Sequence, residues 1–315
     1  MKKPLIVLTG PTAVGKTKLS IALAKAVNGE IISADSMQVY RHMDIGSAKI
    51  TPEEMDGVPH HLVDVLEPTE DFNIVLFQQM AKDAMDKIYD KGRIPILVGG
   101  TGFYIQSVTR DIDFTSSDQD EHYRRELEEL AEQKGPAFLH DMLAKVDPKS
   151  AEDIHENNVK RVIRALEFYK QNGTRISEHN EEQKEHTSPY ALAYFALNAP
   201  RPLLYERIDT RVDEMLKNGL TEEVKKLREM GCHRGMVSMQ GLGYKEILDY
   251  LDGKTTLEEA IYIIKRETRH FAKRQLTWFR RERDVIWLDK QAYDYQDAKI
   301  LEDMITILKE KTIIN

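Results

Sequence analysis

The chain has 315 residues, of which 41% are hydrophobic and 31% are charged, a composition that excludes the disordered and fibrous classes of protein. Its one cysteine, Cys232, excludes an intrachain disulfide and a cysteine-based zinc site, and fits a reducing compartment. A formal net charge of −8 argues against general nucleic-acid binding, although cations can still be clustered locally.

The chain opens with a predicted strand, loop and helix. Residues 5–8 form an apolar run, and apolar residues recur at helical spacing over residues 16–27. The apolar run before Gly10 is only about five residues long, too short for a signal sequence or a membrane span. We therefore expect a cytoplasmic protein that does not bind a membrane.

The loop between this strand and helix fits the P-loop pattern G-x-x-x-x-G-K-[ST]. Its residues are Gly10, Pro11, Thr12, Ala13, Val14, Gly15, Lys16 and Thr17. In such a loop the backbone amides and the helix N-terminus surround phosphate oxygens, the lysine adds a positive charge, and the hydroxyl can bind Mg²⁺. The pattern predicts a diphosphate or nucleotide site, with Lys16 and Thr17 as catalytic candidates and Thr17 as the magnesium ligand.

Strands and helices alternate in the next hundred residues. Residues 30–35 and 61–65 are predicted strands, residues 72–90 a helix, and residues 94–100 another strand. This alternation predicts an α/β fold of the P-loop NTPase-like type, in which a parallel sheet carries helices on both faces.

Two polar residues lie at predicted strand ends, where open parallel sheets bind their ligands. Asp35 ends the second strand, so it could act as a base toward a P-loop ligand or could cap the turn with Ser36. Thr101 follows the strand that ends at residue 100, and its hydroxyl could cap a helix or contact a substrate. That strand ends without a carboxylate, which disfavours an ATPase of the motor or GTPase type.

The pattern changes over residues 116–188, where apolar spacing is helical and no convincing strand is found. We interpret this segment as a helical insertion domain in a catalytic core of residues 1–115 and 189–315. Residues 190–197 return to the sheet, followed by helices, a last strand at residues 285–289 and a terminal helix.

Arg207 and Arg211 are four residues apart on a predicted helix and so share one face. They could bind a diphosphate from the side opposite Lys16, or pair with surface carboxylates. The candidate carboxylates are Asp209, Asp213 and Glu214. Lys160, Arg161 and Arg164 could likewise form a solvated helix face.

A strongly cationic segment, which we call the cationic stripe, lies near the C-terminus. It contains Lys265, Arg266, Arg269, Lys273, Arg274, Arg280, Arg281 and Arg283. Helical spacing predicts that a subset shares one face and follows an RNA backbone, while Phe271, Leu276 and Phe279 face the core.

Six blocks of the sequence together resemble the tRNA dimethylallyltransferases, and the resemblance spans essentially the whole chain. They are residues 10–17, 33–40, 43–49, 59–61, 97–102 and 273–280. The resemblance implies transfer of a dimethylallyl group from dimethylallyl diphosphate to the exocyclic amine of adenosine 37 in tRNA, with Mg²⁺ as cofactor.

The resemblance also implies roles for individual residues. Asp35 would be the general base, the P-loop with Arg207 or Arg211 would hold the diphosphate, and the insertion would grip the anticodon stem-loop of tRNA. The residues expected to contact tRNA are Asp35, Ser36, Met37, Gln38, Thr101, Tyr123, Lys160, Arg161, Val162, Ile163, Arg164, Lys273, Arg274, Arg280 and Arg281. We expect a monomer.

Two other functions remain open at this point. A small-molecule kinase would use ATP at the same P-loop, and an RNA-binding regulator would keep a purely structural nucleotide site. The cationic stripe argues against the kinase. Asp35, expected beside the P-loop, argues against the passive binder.

Overall fold

The computed structural model describes residues 2–114 and 121–314. It divides the chain into two compact units, one formed by Met1–Thr109 with Ser188–Asn315 and the other by Arg110–Thr187. The expected boundary between residues 115 and 116 lies outside the described residues.

The first unit contains a six-stranded sheet in which every pair of neighbouring strands is parallel. The strands are β1 Pro4–Thr9, β2 Gly29–Ala34, β3 His60–His61, β4 Ile94–Gly99, β5 Ala191–Asn198 and β6 Val285–Asp289. Their order is β3-β2-β4-β1-β5-β6. The predicted parallel α/β sheet is thereby confirmed, with the P-loop strand β1 near its centre.

The third strand is shorter than predicted. Only His60 and His61 pair with β2, whereas a strand was expected over residues 61–65. Leu62 and Asp64 have φ angles of 62° and 55°, which lie in the left-handed region and end an extended strand. An apolar alternation alone does not reveal this change of backbone conformation.

Helices follow the strands in chain order. They are α1 Lys16–Ala26, α2 Pro52–Met55, α3 Ile74–Asp90, α4 Gly102–Thr109, α5 Glu121–Lys134, α6 Pro136–Val146, α7 Pro148–Asp153, α8 Val159–Asn172, α9 Ile176–Glu185, α10 Arg201–Lys217, α11 Leu220–Glu229, α12 Tyr244–Leu251, α13 Leu257–Phe279 and α14 Asp297–Glu310. Two short 3₁₀ helices span Ser238–Gln240 and Lys290–Tyr293. Within the described residues, no helix combines the length and the apolar character needed to cross a bilayer.

The alternation of side chains along β1 separates two cores. Leu5 and Val7 pack with apolar residues of α3, α4, α12 and α13 on one face of the sheet. Ile6 and Leu8 pack with α1 and α14 on the other face. All four side chains are fully buried, as is typical of a parallel strand covered on both faces. The sheet is therefore packed against helices on both faces, and the loops after β1, β2 and β4 extend from the carboxyl ends of these buried strands.

The second unit, α5 to α9, has its own apolar core. Leu127, Leu139, Leu143 and Leu166 are buried together in it. Asp147 ends α6 and accepts hydrogen bonds from Ser150 and Ser177, so it joins α7 to α9. The helices that the sequence predicts for this segment are present in its described residues.

Candidate active site

The P-loop connects β1 to α1 and presents an uncapped helix N-terminus. Gly15 is the N-cap of α1, with a φ of 92° that favours glycine, and no side chain bonds to the first amides of the helix. The first turn of α1 contains no acidic residue. These amides and the positive end of the helix dipole are thus available to an anion.

Lys16 folds back over the loop. Its Nζ donates hydrogen bonds to the carbonyl oxygens of Gly10 and Pro11, both at 2.9 Å. Burial and then the charge of Arg211 lower the pKa of Lys16 to about 8, whereas the Asp35 carboxylate opposes the shift. Arg211 and Asp35 therefore both act electrostatically on Lys16, although the three residues are far apart in the sequence.

Asp35 follows β2 and fills the first of the two roles that the sequence left open, that of a turn cap. Its Oδ1 accepts hydrogen bonds from the backbone N–H of Met37 at 2.8 Å and of Gln38 at 3.3 Å, so it does cap the turn. Its Oδ2 accepts no hydrogen bond from the residues that the structure describes. One carboxylate oxygen is therefore occupied by the backbone and the other can face a substrate.

Thr101 lies where β4 approaches the end of β2. Its backbone N–H donates to the Ala34 carbonyl at 3.3 Å, which ties the two strand ends together. Its carbonyl accepts from Tyr104 and Ile105 at the start of α4. No hydrogen bond joins its hydroxyl to another described residue, so the Thr101 side chain does not cap the helix.

Arg207 and Arg211 lie on α10 and line a cavity of about 420 Å³ that Ala13 of the P-loop also lines. Burial lowers the pKa of Arg211, and the carboxylates of Glu214 and Glu54 oppose that shift. Neither arginine forms an ion pair with a carboxylate in the described ranges.

Two of the three carboxylates that could have paired with these arginines are engaged elsewhere. Asp209 binds Arg269 through both oxygens at 2.7 Å, and Asp213 binds Lys265 at 2.6 Å. Arg207 and Arg211 therefore form no surface ion pair with Asp209 or Asp213.

The cationic stripe divides into paired and unpaired cations. Lys265, Arg266 and Arg269 have carboxylate partners. A second group is exposed and has no carboxylate within ion-pair distance in the part of the chain that the structure describes. This group contains Arg283 and the four cations that were expected to contact tRNA, Lys273, Arg274, Arg280 and Arg281; we call these four the exposed cations.

The buried side of α13 agrees only in part with the expected pattern. Leu276 and Phe279 are buried, as predicted. Phe271 is only partly buried, and the Arg274 guanidinium lies 5.9 Å from its ring centroid. Its ring thus supports an exposed cation, so the prediction that it faces the core was wrong.

In the second unit, the helical period of α8 separates the predicted contact residues. Lys160, Arg161 and Arg164 are exposed, whereas Val162 and Ile163 are 0% and 3% exposed in the apolar core. The side chains of Val162 and Ile163 therefore face the apolar core and not solvent, whereas contact with RNA through their backbone stays a prediction. Tyr123 on α5 is partly buried, with Lys170 Nζ 3.6 Å from its ring centroid.

The loop after Asp35 is held by a residue that the sequence did not identify as a candidate. Glu223 on α11 is buried, and its carboxylate accepts hydrogen bonds from the backbone N–H groups of Asp44, Ile45 and Gly46 and from the Tyr244 hydroxyl. No local signal distinguishes Glu223 from other glutamates on an amphipathic helix. Only its distant partners reveal its role.

Comparison with known proteins identifies a family that covers this whole architecture. The family model described as IPP transferase matches residues 38–282, and the one described as isopentenyl transferase matches residues 3–64. A tRNA dimethylallyltransferase of Lachnoclostridium phytofermentans is 64% identical over 312 residues, which cover 99% of each chain.

Two solved structures have the same fold. The tRNA isopentenylpyrophosphate transferase of Bacillus halodurans is 49% identical with a TM-score of 0.74, covering 99% of this chain and 98% of that one. A eukaryotic dimethylallyltransferase captured acting on tRNA is 33% identical with a TM-score of 0.77, covering 92% of this chain and 74% of that one.

Proposed function

Because this chain belongs to the tRNA dimethylallyltransferase family and so transfers a dimethylallyl group to tRNA, we propose that its P-loop holds the diphosphate of the donor and that Asp35 acts on the acceptor adenosine. The observation that carries this proposal is that Ala13 of the P-loop and Arg211 line one cavity, while Asp35 follows the carboxyl end of β2 in the same parallel sheet. We further propose that the acceptor atom is the exocyclic amine of adenosine 37 in the anticodon stem-loop.

Charge on the leaving group governs the reaction. An adenine amine is a weak nucleophile, so the allylic C–O bond must break as the new C–N bond forms, and negative charge collects on the departing diphosphate. Lys16, Arg211 and the amides at the start of α1 are placed to stabilise that charge as it develops. Lys16 would exchange its bonds to the Gly10 and Pro11 carbonyls for bonds to diphosphate oxygens.

The amine loses a proton when it attacks the allylic carbon. Asp35 Oδ2 is the group that we propose to accept this proton, while Oδ1 keeps the carboxylate oriented through Met37 and Gln38. The base must leave its stack to reach a donor held at the P-loop. Ser36, Met37, Gln38 and Thr101 are proposed to hold the extruded nucleotide.

Magnesium fits the donor set around the P-loop. Within the described residues no group of three or more His, Cys, Asp or Glu side chains is arranged as a metal site, and Mg²⁺ commonly needs only one or two protein oxygens beside substrate phosphates and water. We propose that the Thr17 hydroxyl supplies such an oxygen. When bound, the ion would neutralise charge on the diphosphate.

Two surfaces are proposed to contact tRNA. One is formed by the exposed cations on and after α13, and the other by Lys160, Arg161 and Arg164 on α8 in the second unit. We also propose that the enzyme acts as a monomer in the cytoplasm, where a single cysteine without a disulfide partner in the chain fits a reducing compartment.

The transfer assay tests the function directly. The protein is incubated with Mg²⁺, isotopically labelled dimethylallyl diphosphate and unmodified tRNA, and the tRNA is digested to nucleosides. Label in adenosine from position 37 is the expected result. A parallel incubation with γ-labelled ATP should give no phosphorylated product, and label transfer from ATP to a small molecule would instead support a kinase.

Arg211 is expected to contribute more to donor binding than Arg207. Replacing Arg211 by glutamine should weaken binding of dimethylallyl diphosphate by roughly ten- to a hundredfold, the scale of a hydrogen bond to a charged group. Replacing Arg207 by glutamine on the same helix serves as the matched control and should have a smaller effect. Calorimetric titration of both variants measures the difference. A larger loss for the Arg207 variant would reverse the assignment.

The exposed cations are expected to control the salt dependence of tRNA binding. Single glutamine replacements of Lys273, Arg274, Arg280 and Arg281 should each flatten the plot of log affinity against log salt concentration by about 0.7 to 0.9 for each lost phosphate contact. Affinity should fall to a similar extent for all tRNAs, because phosphate contacts carry no sequence information. Filter binding across a salt series gives the slopes.

The matched control for this series is Lys265→Gln, because Lys265 is already paired with Asp213. Its slope should equal that of the unmodified protein. Unchanged slopes for all four exposed cations would move the RNA-binding surface to Lys160, Arg161 and Arg164. Donor binding, measured in the same variants, should be unaffected.

A further inference from the structure

Gln275 is a buried polar residue on a helix that is otherwise divided between apolar and cationic faces. Its side chain is 6% exposed, whereas its neighbours Lys273 and Arg274 are exposed. A buried amide group is costly unless both of its ends are hydrogen-bonded. The partners of Gln275 therefore indicate what its presence on α13 achieves.

The two ends of this amide bind two different loops. Oε1 accepts a hydrogen bond from the backbone N–H of Thr12 in the P-loop at 2.9 Å. Nε2 donates to the carbonyl oxygen of Gly100, after β4, at 3.0 Å. The side chain thus spans the gap between the P-loop and the segment that carries Thr101.

The fit around this amide is tight. A Cβ atom added at Gly100 would lie 2.1 Å from Gln275 Nε2, so this approach requires glycine at position 100. The two loops are also joined directly, since the Thr9 hydroxyl donates to the Gly99 carbonyl at 2.7 Å. A displacement of α13 would be transmitted through Gln275 to both loops, because the surrounding contacts leave little free space.

We propose that Gln275 is a positioning residue that holds the P-loop in its diphosphate-binding conformation and couples this conformation to tRNA bound on the exposed cations of the same helix. This inference rests on the proposed function, in which the P-loop binds the diphosphate and α13 binds tRNA. Coupling of this kind is reciprocal, so tRNA should change donor affinity by the same factor by which the donor changes tRNA affinity.

The test compares Gln275→Met with Gln78→Met. Methionine has a similar length but cannot replace either hydrogen bond. Gln78 on α3 is also buried and donates to the Ser107 carbonyl at 2.7 Å, away from the P-loop, so its replacement reports the general cost of losing a buried amide. For each protein we would measure Tm and, by calorimetry in Mg²⁺, the Kd of inorganic pyrophosphate with and without tRNA.

We expect Gln275→Met to weaken pyrophosphate binding by about tenfold, which corresponds to one or two net hydrogen bonds, and to abolish the effect of tRNA on that Kd. The Gln78→Met variant should lose thermal stability but keep the Kd and the tRNA effect of the unmodified protein. Gly100→Ala retains Gln275 but displaces its amide, and it should weaken pyrophosphate binding in the same direction. This second variant keeps the test available if Gln275→Met does not fold.

Unaltered pyrophosphate binding in folded Gln275→Met or Gly100→Ala would overturn the positioning role. An unmodified protein whose pyrophosphate affinity does not respond to tRNA would overturn the coupling. An unmodified protein that binds no pyrophosphate at all would overturn the donor site itself and this inference with it. The first two results leave the donor site intact, so failure of this inference can be distinguished from failure of the proposed function.

Discussion

Replacing Lys16 by alanine is expected to reduce prenyl transfer by at least about a hundred- to a thousandfold, the scale seen when a group that stabilises developing negative charge is removed. Lys16 Nζ lies on the P-loop carbonyls of Gly10 and Pro11, so its loss removes a cation from the proposed diphosphate site. Single-turnover measurements with labelled dimethylallyl diphosphate and excess enzyme would give the rate of the chemical step.

Binding of tRNA should persist in this variant, because Lys16 belongs to the donor site. Lys18 provides the matched control, since it is an exposed lysine two residues further along α1. The Lys18→Ala variant should retain close to full activity. A parallel loss of tRNA affinity in Lys16→Ala would indicate misfolding or a different role for this lysine.

Replacing Asp35 by asparagine is expected to lower turnover by roughly a hundredfold or more, the range typical of a general base. Asparagine retains an oxygen that can accept from the Met37 and Gln38 amides, so the turn should keep its shape. The variant therefore separates proton acceptance from the structural role. The single-turnover rate of transfer at saturating donor and tRNA is the quantity to measure.

The control for this experiment is Asp86→Asn, which removes an exposed carboxylate whose ion-pair partner among the described residues is Lys3 at the surface. It should leave the rate unchanged. Melting temperature and tRNA affinity of Asp35→Asn should also stay near those of the unmodified protein. Near-normal turnover would reduce Asp35 to a residue that caps the turn after β2.

The parts of the molecule that the sequence predicted well are those whose determinants are contiguous. The P-loop pattern is complete within eight residues, and the strands β1, β4 and β5 are largely apolar because both faces of the sheet are covered. Asp35 and Thr101 could be identified as candidates because the ends of parallel strands meet at one edge. That reasoning needs only the order of the elements.

Residues whose role depends on distant partners escaped prediction. Gln275 binds Thr12 and Gly100, which lie 263 and 175 positions away, and Glu223 binds amides of residues 44–46 from a helix far along the chain. Although Gln275 and residues 44–46 lie in blocks of the sequence that resemble the family, nothing in those blocks reveals their distant partners. On α8 the prediction instead included too many residues. It grouped Val162 and Ile163 with their charged neighbours, although the helical period turns their side chains into the core.

The position of β1 in the sheet has a consequence for biosynthesis. Pro4 of β1 pairs with Ala191 of β5, so at synthesis rates of about 5–20 residues per second the P-loop strand would wait roughly 10 to 40 s for one of its two neighbours. The second unit is a continuous segment with its own core, so all its parts have left the ribosome before β5 does. During that interval β1 has an open, apolar edge, which is a template for pairing with another chain.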